Sequence, residues 1–335
     1  MKCAVIILNW NGEQMLKRYL PSVVSNTSAE IIVADNGSTD NSQSVAREFQ
    51  NVRWVAFDKN YGFAEGYNRA IAQVDSEYVV LLNSDVEVTE GWLEPLIQAM
   101  DEDKTIAAVQ PKVLSWLSKE NGDDPVRFEY AGAAGGLMDS LIYPYCRGRI
   151  LSYIEKDEGQ YEDVIPVFWT TGACMCVRTA IYKQIGGLDA DFFAHMEEID
   201  LCWRLQCRGY ELVCIPQSTI YHVGGGALSY ESPRKTFLNF RNCLLMIYKN
   251  LPTQRLIPVW IARFVLDYMA ALHLLVSGKS KNALAVVQAR FAFWKMRPRF
   301  VAKRQANKQQ ATVPYPETIA RRSIIFDYYF RKKRQ

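Results

Sequence analysis

Two glycine signatures are missing from this 335-residue chain. It contains no G-x-G-x-x-G and no G-x-x-x-x-G-K-[ST], which excludes the usual dinucleotide and P-loop phosphate cradles. Paired cysteines are missing too. None of Cys3, Cys146, Cys174, Cys176, Cys202, Cys207, Cys214 and Cys243 forms a CxxC, and most stand inside apolar segments. Reduced structural thiols are therefore expected, not a zinc site or a disulfide framework. The N-terminus lacks a leader pattern: the apolar stretch 3–8 is shorter than a signal h-region and runs straight into Asn9-Trp10-Asn11-Gly12. Repeats and low-complexity tracts are absent. A clean transmembrane run is also lacking, because Arg263, Asp267 and His273 interrupt the apolar residues of 256–276.

What is present is a globular composition, 49% apolar and 22% charged, sized for one large or two ordinary domains. The net charge of +3 hides an asymmetry. Residues 1–225 hold 18 Lys+Arg against 32 Asp+Glu, a balance of −14, whereas residues 226–335 hold 21 against 4, a balance of +17. That division suggests a catalytic or binding front and a basic rear that meets an anionic partner.

The front is organised around residues 78–88, YVVLLNSDVEV. An apolar run that stops abruptly in Asn83-Ser84-Asp85 reads as an inner strand of a parallel sheet. Three more strands precede it, at 2–9, 30–35 and 52–57. Helical segments follow them, at about 12–24, from 41 to about 49 and, after the stretch 59–68, through Ile71, and a fourth helix covers 92–100. Strands and helices alternating at this spacing predict β-α-β units and a doubly wound sheet. Parallel sheets bind ligands beyond the carboxyl ends of their strands. Those ends carry Asn9 and Asn11, Asp35 and Asn36, Asn60, and Asp85. A carboxylate at such a place needs a cation or donors, and Asp85 suits a hard divalent cation whose shell a diphosphate completes. Asp35 can accept hydrogen bonds from a base or ribose, while Ser38 and Asp40 either do the same or cap the following helix. A nucleoside diphosphate derivative is the implied ligand.

Residues 104–168 are less legible. The run 106–111 is a strand stopped by Pro111, the small residues 130–136 form a loop where backbone can approach a ligand, and Arg147 and Arg149 either clamp an anion or form surface ion pairs. Residues 167–177 are strand-like with a break at Gly172. Three carboxylates then fall within four residues, Glu197, Glu198 and Asp200. On a helix Glu197 and Asp200 share a face and Asp200 pairs with Arg204, which leaves Glu198 the freer group. A carboxylate placed to take a proton from a hydroxyl is what group transfer to an alcohol requires. His222, ahead of Gly224-Gly225-Gly226, is either a core histidine or a ligand.

Together these pieces resemble a family 2 glycosyltransferase of the inverting, nucleotide-sugar-dependent type. They are 7–11 (ILNWN), 35–40 (DNGSTD), 60–68 (NYGFAEGYN), 82–85 (LNSD), 171–173 (TGA), 196–204 (MEEIDLCWR) and His222. They stand in family order over about residues 3–226, and the bacterial rhamnosyltransferase-like subset is the most similar.

The resemblance implies an α/β, Rossmann-like glycosyltransferase A-type fold with a mostly parallel central sheet flanked by helices and a C-terminal helical extension. It implies a catalytic domain over 1–226 and a basic helical region over 227–335. Asn9, Asn11, Asp35, Ser38, Asn60, Phe63, Asn68 and Asn83 would bind the nucleotide sugar. Asp85 would be the surviving aspartate of a D-x-D element and, with His222, would hold Mn2+ or Mg2+, the histidine favouring Mn2+. Glu198 would be the general base, with Glu197 in reserve. Two positions depart from the family pattern: Asn83 replaces the first aspartate of D-x-D, and Glu198 stands where many members have Asp. The expected activity is inverting transfer from dTDP-rhamnose or a UDP-sugar to a saccharide or lipid-linked saccharide in bacterial cell-surface polysaccharide synthesis.

A nucleotidyltransferase is the alternative, but it would need a Gly- and Arg/Lys-rich loop where Asn9 to Gln14 stand. A non-catalytic nucleic-acid-binding protein would lack any reader motif and leave the carboxylates unexplained, so no nucleic-acid partner is expected. In the rear, residues 256–276 and 282–295 read as helices with Phe291, Phe293 and Trp294, followed by Arg297, Arg299, Lys303, Arg304 and Lys308 and ending in Arg331-Lys332-Lys333-Arg334. Basic residues beside aromatic helices suit an anionic membrane surface, so the enzyme is expected in the cytoplasm, peripheral on the inner membrane.

Overall fold

The computed structural model describes residues 2–224 and 232–331. Gly225, Gly226, Lys332, Lys333 and Arg334, which the sequence singles out, lie outside the described residues. The first half alternates as its sequence predicts through β1 (Cys3–Asn9), α1 (Glu13–Asn26), β2 (Glu30–Asp35), α2 (Ser42–Arg47), β3 (Val52–Ala56), α3 (Gly62–Ile71), β4 (Tyr78–Asn83) and α4 (Glu94–Glu102), with a short β5 (Val86–Val88) between the last two, while β6 (Ile106–Ser115) runs on past Pro111 instead of stopping there. After α5 (Trp116–Glu120), four short strands make a separate antiparallel sheet: β7 (Gly136–Met138), β8 (Pro144–Cys146), β9 (Arg149–Ile150) and β10 (Tyr153–Ile154). The chain returns through β11 (Ile165–Pro166), β12 (Cys174–Arg178), α6 (Thr179–Gln184), α7 (Glu197–Cys207) and β13 (Glu211–His222).

The main sheet runs β3-β2-β1-β4-β12-β6-β13-β11, with β5 also paired to β13. β1 to β4 are mutually parallel, and β6 and β13 are parallel to each other. β12 is inserted antiparallel to both of its neighbours. The strand-like run 167–177 therefore yields only a short strand. Its first part bends away because Trp169 seats on Gly136, where a Cβ would lie 2.2 Å from the indole. Successive side chains point to opposite faces of the sheet. Ile6, Ala34 and Leu81 thus enter one core with Tyr67, Phe168 and Trp203, while Val5, Val33 and Val80 enter the other with Leu16, Leu20 and Trp92. Burying each such large side chain contributes about 1.5–3 kcal/mol. All eight cysteines are buried and unpaired.

The chain leaves β1 toward β2 on one side and places β4 on the other, so the strand order reverses between β1 and β4. A crevice opens beyond the carboxyl ends of strands at such a reversal.

The C-terminal helices are α8 (Pro233–Asn250), α9 (Thr253–Val276), α10 (Ser280–Gln310) and α11 (Ile324–Tyr329). They share a core with the front: Leu244, Ile247, Phe293 and Phe300 belong to the same cluster as Trp203 and Phe192. A buried ionic knot adds to this. Lys249 of α8 lies 2.6 Å from Asp189 and 2.8 Å from Asp200, and Asp200 also takes Arg204 at 2.9 Å. Burial opposes ionisation of the two carboxyls, but the Lys249 ammonium outweighs it and holds both below their ordinary range.

By length and composition alone α9 could cross a membrane. The charges that interrupt its apolar residues are turned inward. Arg263 and Asp267 are both buried and lie 3.3 Å apart, Arg263 donates to the Ile142 carbonyl, and Arg290 reaches Asp267 at 3.0 Å.

Candidate active site

Register brings the first group together. Asn9 stands opposite Asp35, and Leu8 opposite Asn83. The Asn9 amide donates to Asp35 Oδ1 at 3.1 Å and to Ser38 Oγ at 3.2 Å. The Ser38 hydroxyl donates to Asp35 Oδ1, and the Ser38 backbone amide donates to Oδ2 at 3.0 Å. Asn11, at φ 49°, accepts from the Thr39 amide at 2.8 Å, and its own amide donates to Ser38 Oγ at 2.8 Å. Gly37 makes this turn possible. Its φ is +76°, and a Cβ there would sit 2.6 Å from the Lys59 backbone. Asn9 Oδ1 is buried with no hydrogen-bond partner. Asp40 serves as a cap, accepting from the amides of Glu13 at 2.9 Å and Ser42 at 3.1 Å.

A second group closes the other side of the crevice. β5 pairs with β13 so that His222 faces Val86, next to Asp85. His222 Nε2 lies 3.1 Å from Asp85 Oδ1 and 3.5 Å from the Asn83 amide nitrogen. The other ring nitrogen lies 3.6 Å from Glu129 Oε1. Burial disfavours the charged imidazole, but the Asp85 and Glu129 carboxylates outweigh it and lift His222 to about 10. Glu129 went unnoticed in the sequence, because nothing local marks a residue of the 126–131 segment as facing the end of β13. Among the described residues no group of three or more His, Cys, Asp or Glu is placed to hold a metal unaided. The pair nevertheless fits a divalent ion. Two adjacent donors of an octahedral ion, each about 2.1 Å from it, stand about 3 Å apart, close to the Asp85–His222 separation of 3.1 Å. Binding there would release the imidazole proton.

The third group is built by the turn before α7. Phe193, His195 and Met196 all take positive φ, at 66°, 69° and 71°. Such backbone costs of order 1–3 kcal/mol per residue and persists only where neighbours impose it. Here Asn242 of α8 imposes it, its amide donating to the carbonyls of Phe192, Ala194 and His195 at 3.0, 2.8 and 2.7 Å. α3 contributes as well, the Phe63 amide donating to the Phe193 carbonyl at 2.8 Å. The turn delivers Glu197 and Glu198 to the first turn of α7. Glu197 is 3% exposed and faces inward. Glu198 is half-buried and lies near Gly172, where a Cβ would meet its Cγ at 3.8 Å and the Phe63 ring at 3.4 Å. Each carboxyl keeps one buried oxygen without a hydrogen bond. Burial raises Glu198 to about 7 against the pull of the α7 amides, and burial together with the Glu198 charge pushes Glu197 well above the carboxylate range.

The sequence-singled residues fall into three groups: Asn9, Asn11, Asp35 and Ser38; Asn83, Asp85 and His222; and Phe63 with Glu198, which the Asn83 backbone amide ties to the strand ends by donating to the Ala173 carbonyl, beside Gly172, at 3.0 Å. Glu197 turns away from them into the interior. Two asparagines stand apart. Asn60 accepts from the Gly62 amide at 2.8 Å and the Asn36 amide at 3.2 Å, which starts α3. Asn68 bonds Leu188 through both side-chain atoms and accepts from the Tyr182 hydroxyl at 2.7 Å. The glycines of 130–136 admit protein and not ligand, since Cβ atoms at Gly132 and Gly136 would strike Thr171 and Trp169. Arg147 pairs with Asp163 at 2.8 Å, and Arg149 lies buried over the Tyr130 ring.

Asn242→Ala would take this donor from the Ala194 and His195 carbonyls and loosen the turn that carries Glu198, while Phe192 would keep Arg241. We expect turnover to fall about a hundredfold and stability by about 1–3 kcal/mol. Steady-state kinetics beside a melting curve checks this.

Comparison with known proteins bears on this crevice. Residues 4–156 match the family described as Glycosyl transferase family 2. An N-acetylglucosaminyl-diphospho-decaprenol L-rhamnosyltransferase of Mycobacterium tuberculosis is 26% identical over 232 residues, 65% of this chain and 75% of that protein. A rhamnosyltransferase of Escherichia coli is 25% identical over 226 residues, 65% of this chain and 82% of its own. A mannosyltransferase from Pyrobaculum calidifontis, solved with GDP-Man and Mn2+, superposes at a TM-score of 0.52 with 14% identity, over 92% of this chain and 84% of that one. The α/β arrangement with its mostly parallel sheet and C-terminal helices is therefore the glycosyltransferase A-type fold.

Proposed function

We propose that this chain, a family 2 glycosyltransferase by the match over residues 4–156, transfers a sugar with inversion from a nucleoside-diphosphate donor to a saccharide or lipid-linked saccharide. The work of such an enzyme is sugar transfer in glycan synthesis. The relatives named as rhamnosyltransferases support transfer of rhamnose; dTDP-rhamnose is the donor proposed, with a UDP-sugar as the alternative.

One observation carries the reading. A single crevice holds two carboxylate sites of opposite character. At the strand ends, Asp35 is fixed by Asn9 and Ser38, and Asp85 by His222. Beside Gly172 and Phe63, Glu198 is half-buried, lacks a hydrogen bond on one oxygen, and is lifted to about 7. A carboxylate poised near neutrality suits general-base work. Glu198 takes the proton of the acceptor hydroxyl, whose oxygen attacks the anomeric carbon. The bond from that carbon to the diphosphate oxygen breaks on the opposite face, and the nucleoside diphosphate leaves. Asp35, Asn9 and Ser38 orient the nucleoside. Asp85 and His222 would hold a divalent cation, Mn2+ or Mg2+, which when bound neutralises charge on the diphosphate.

A thermal-shift panel of nucleoside diphosphates and nucleotide sugars, with and without Mn2+, tests the reading. We expect one base to raise the melting temperature, and to do so more with metal. Folded protein that responds to no nucleotide would overturn it.

A further inference from the structure

We propose that α9 beds its outward face into the surface of an anionic bilayer, lying along the membrane and not crossing it. The suggestion that the membrane carries the acceptor rests on the function proposed above; the membrane contact itself does not.

The observation is the outward face of α9. A helix at a protein surface ordinarily turns its apolar stripe to the core and its charges to water. α9 departs from this. Beside Leu256, Val259 and Ala271 its inner face buries two charged residues, Arg263 and Asp267, against Ile142 and Arg290. Its outward residues are apolar along most of its length: Ile261 is 63% exposed, Val265 53%, Met269 60% and Leu272 61%. The helix has 24 residues, which at 1.5 Å per residue is about 36 Å. An apolar strip of that length does not face water in a soluble monomer without a partner. α11 adds Phe326 and Phe330, both exposed, and is tied to the 139–143 turn that also receives Arg263.

Charge selects the occupant. Basic residues flank the strip: Arg255 at its start, Lys279 and Lys281 where the chain turns into α10, and Lys295 and Arg299 along α10, all exposed. Residues 226–335 carry 21 basic against 4 acidic side chains. A second copy would bring two such regions together against their repulsion, whereas anionic headgroups complement them. The inward pinning of Arg263 and Asp267 keeps the protein along one side of α9, so the helix lies in the interface with only its outer face immersed.

The placement also serves the crevice. The turn at the end of α9 leads into α10, where Asn282 donates to Thr236 Oγ1 of α8 at 2.8 Å. In the same first turn of α8, the Arg234 guanidinium lies 5.6 Å from the ring of Phe193, in the turn that carries the base. One end of the strip thus reaches the element that borders Glu198, where a lipid-linked saccharide would arrive from the membrane.

The test is sedimentation of the full chain with vesicles of pure phosphatidylcholine or of three parts phosphatidylcholine to one part phosphatidylglycerol. We expect binding to the anionic vesicles at about 0.1 M salt and a fraction that persists at about 1 M, because screening weakens the charge attraction but not the apolar insertion. The combined variant Ile261→Ser, Val265→Ser, Met269→Ser and Leu272→Ser alters only exposed positions. It should lower the partition coefficient at least about a hundredfold while the far-UV spectrum and the nucleotide-induced thermal shift stay unchanged. Wild-type protein that stays in the supernatant with anionic vesicles would overturn the inference, as would a variant that binds them equally well. A wild-type dimer that the variant converts to monomer, seen by light scattering, would also overturn it, since a second copy would then cover the face. Vesicle binding without any nucleotide-induced shift upholds the inference and counts against the donor site instead.

Discussion

Replacing Glu198 by glutamine is expected to lower kcat about a thousandfold, the range of a general base, with donor binding unchanged. The amide keeps the shape of the side chain in its place beside Gly172 and Phe63 but cannot take a proton. Glu197→Gln should cost far less, because Glu197 is 3% exposed and faces the interior. The pH profile separates the two. The active form of a base is the carboxylate, so wild-type kcat should rise with pH through about 7, where burial holds Glu198, and level off above it. Stability should move oppositely. A carboxyl raised in the folded state favours folding fully below its unfolded value of about 4.3, and that contribution is lost as pH rises through the folded value. Glu198→Gln should therefore melt above wild type at pH 8, and the difference should vanish near pH 4. Full activity in the glutamine variant would remove Glu198 from the reaction.

Asp85→Ala is expected to abolish the metal-dependent part of the nucleotide thermal shift and to lower kcat/KM about a thousandfold, several kcal/mol of lost charge stabilisation. Asp85 Oδ1 stands 3.1 Å from His222 Nε2, so its removal takes one of two protein donors and leaves the histidine between the vacated place and Glu129. Calorimetry with Mn2+ alone gives a readout independent of turnover. Metal binding undiminished in the alanine variant would move the ion elsewhere, and retained activity would count heavily against Asp85 as its ligand.

How much of this was legible depends on how far apart the interacting residues lie in the chain. β1 to β4 and the helices between them follow local patterns: short apolar runs stopped by Asn, Asp or Gly, then helical stretches. Because β-α-β units force parallel strands, the run-ends Asn9, Asp35 and Asn83 had to arrive on one edge, and the register places Asn9 opposite Asp35. Asp200 with Arg204 was equally local, four residues apart on one helix. By contrast, no local signal could reveal that Glu129 would meet His222, or that Asn242 would carry the strained turn at 193–196. The antiparallel insertion of β12 was hidden because a buried strand reads the same in either direction.

By itself, then, the sequence determined the alternating α/β front, the residues at its strand ends and the carboxylate pair at the start of α7, since these depend on periodicity and spacing along the chain. The tertiary structure alone decided which of those residues share a crevice, which asparagines are spent on supporting it, and which way α9 faces. In one dimension Arg263 and Asp267 look like barriers to a membrane. In three they pair with each other and are satisfied by the Ile142 carbonyl and Arg290, because a buried charge persists where it is paired and hydrogen-bonded, and the apolar face is left turned outward.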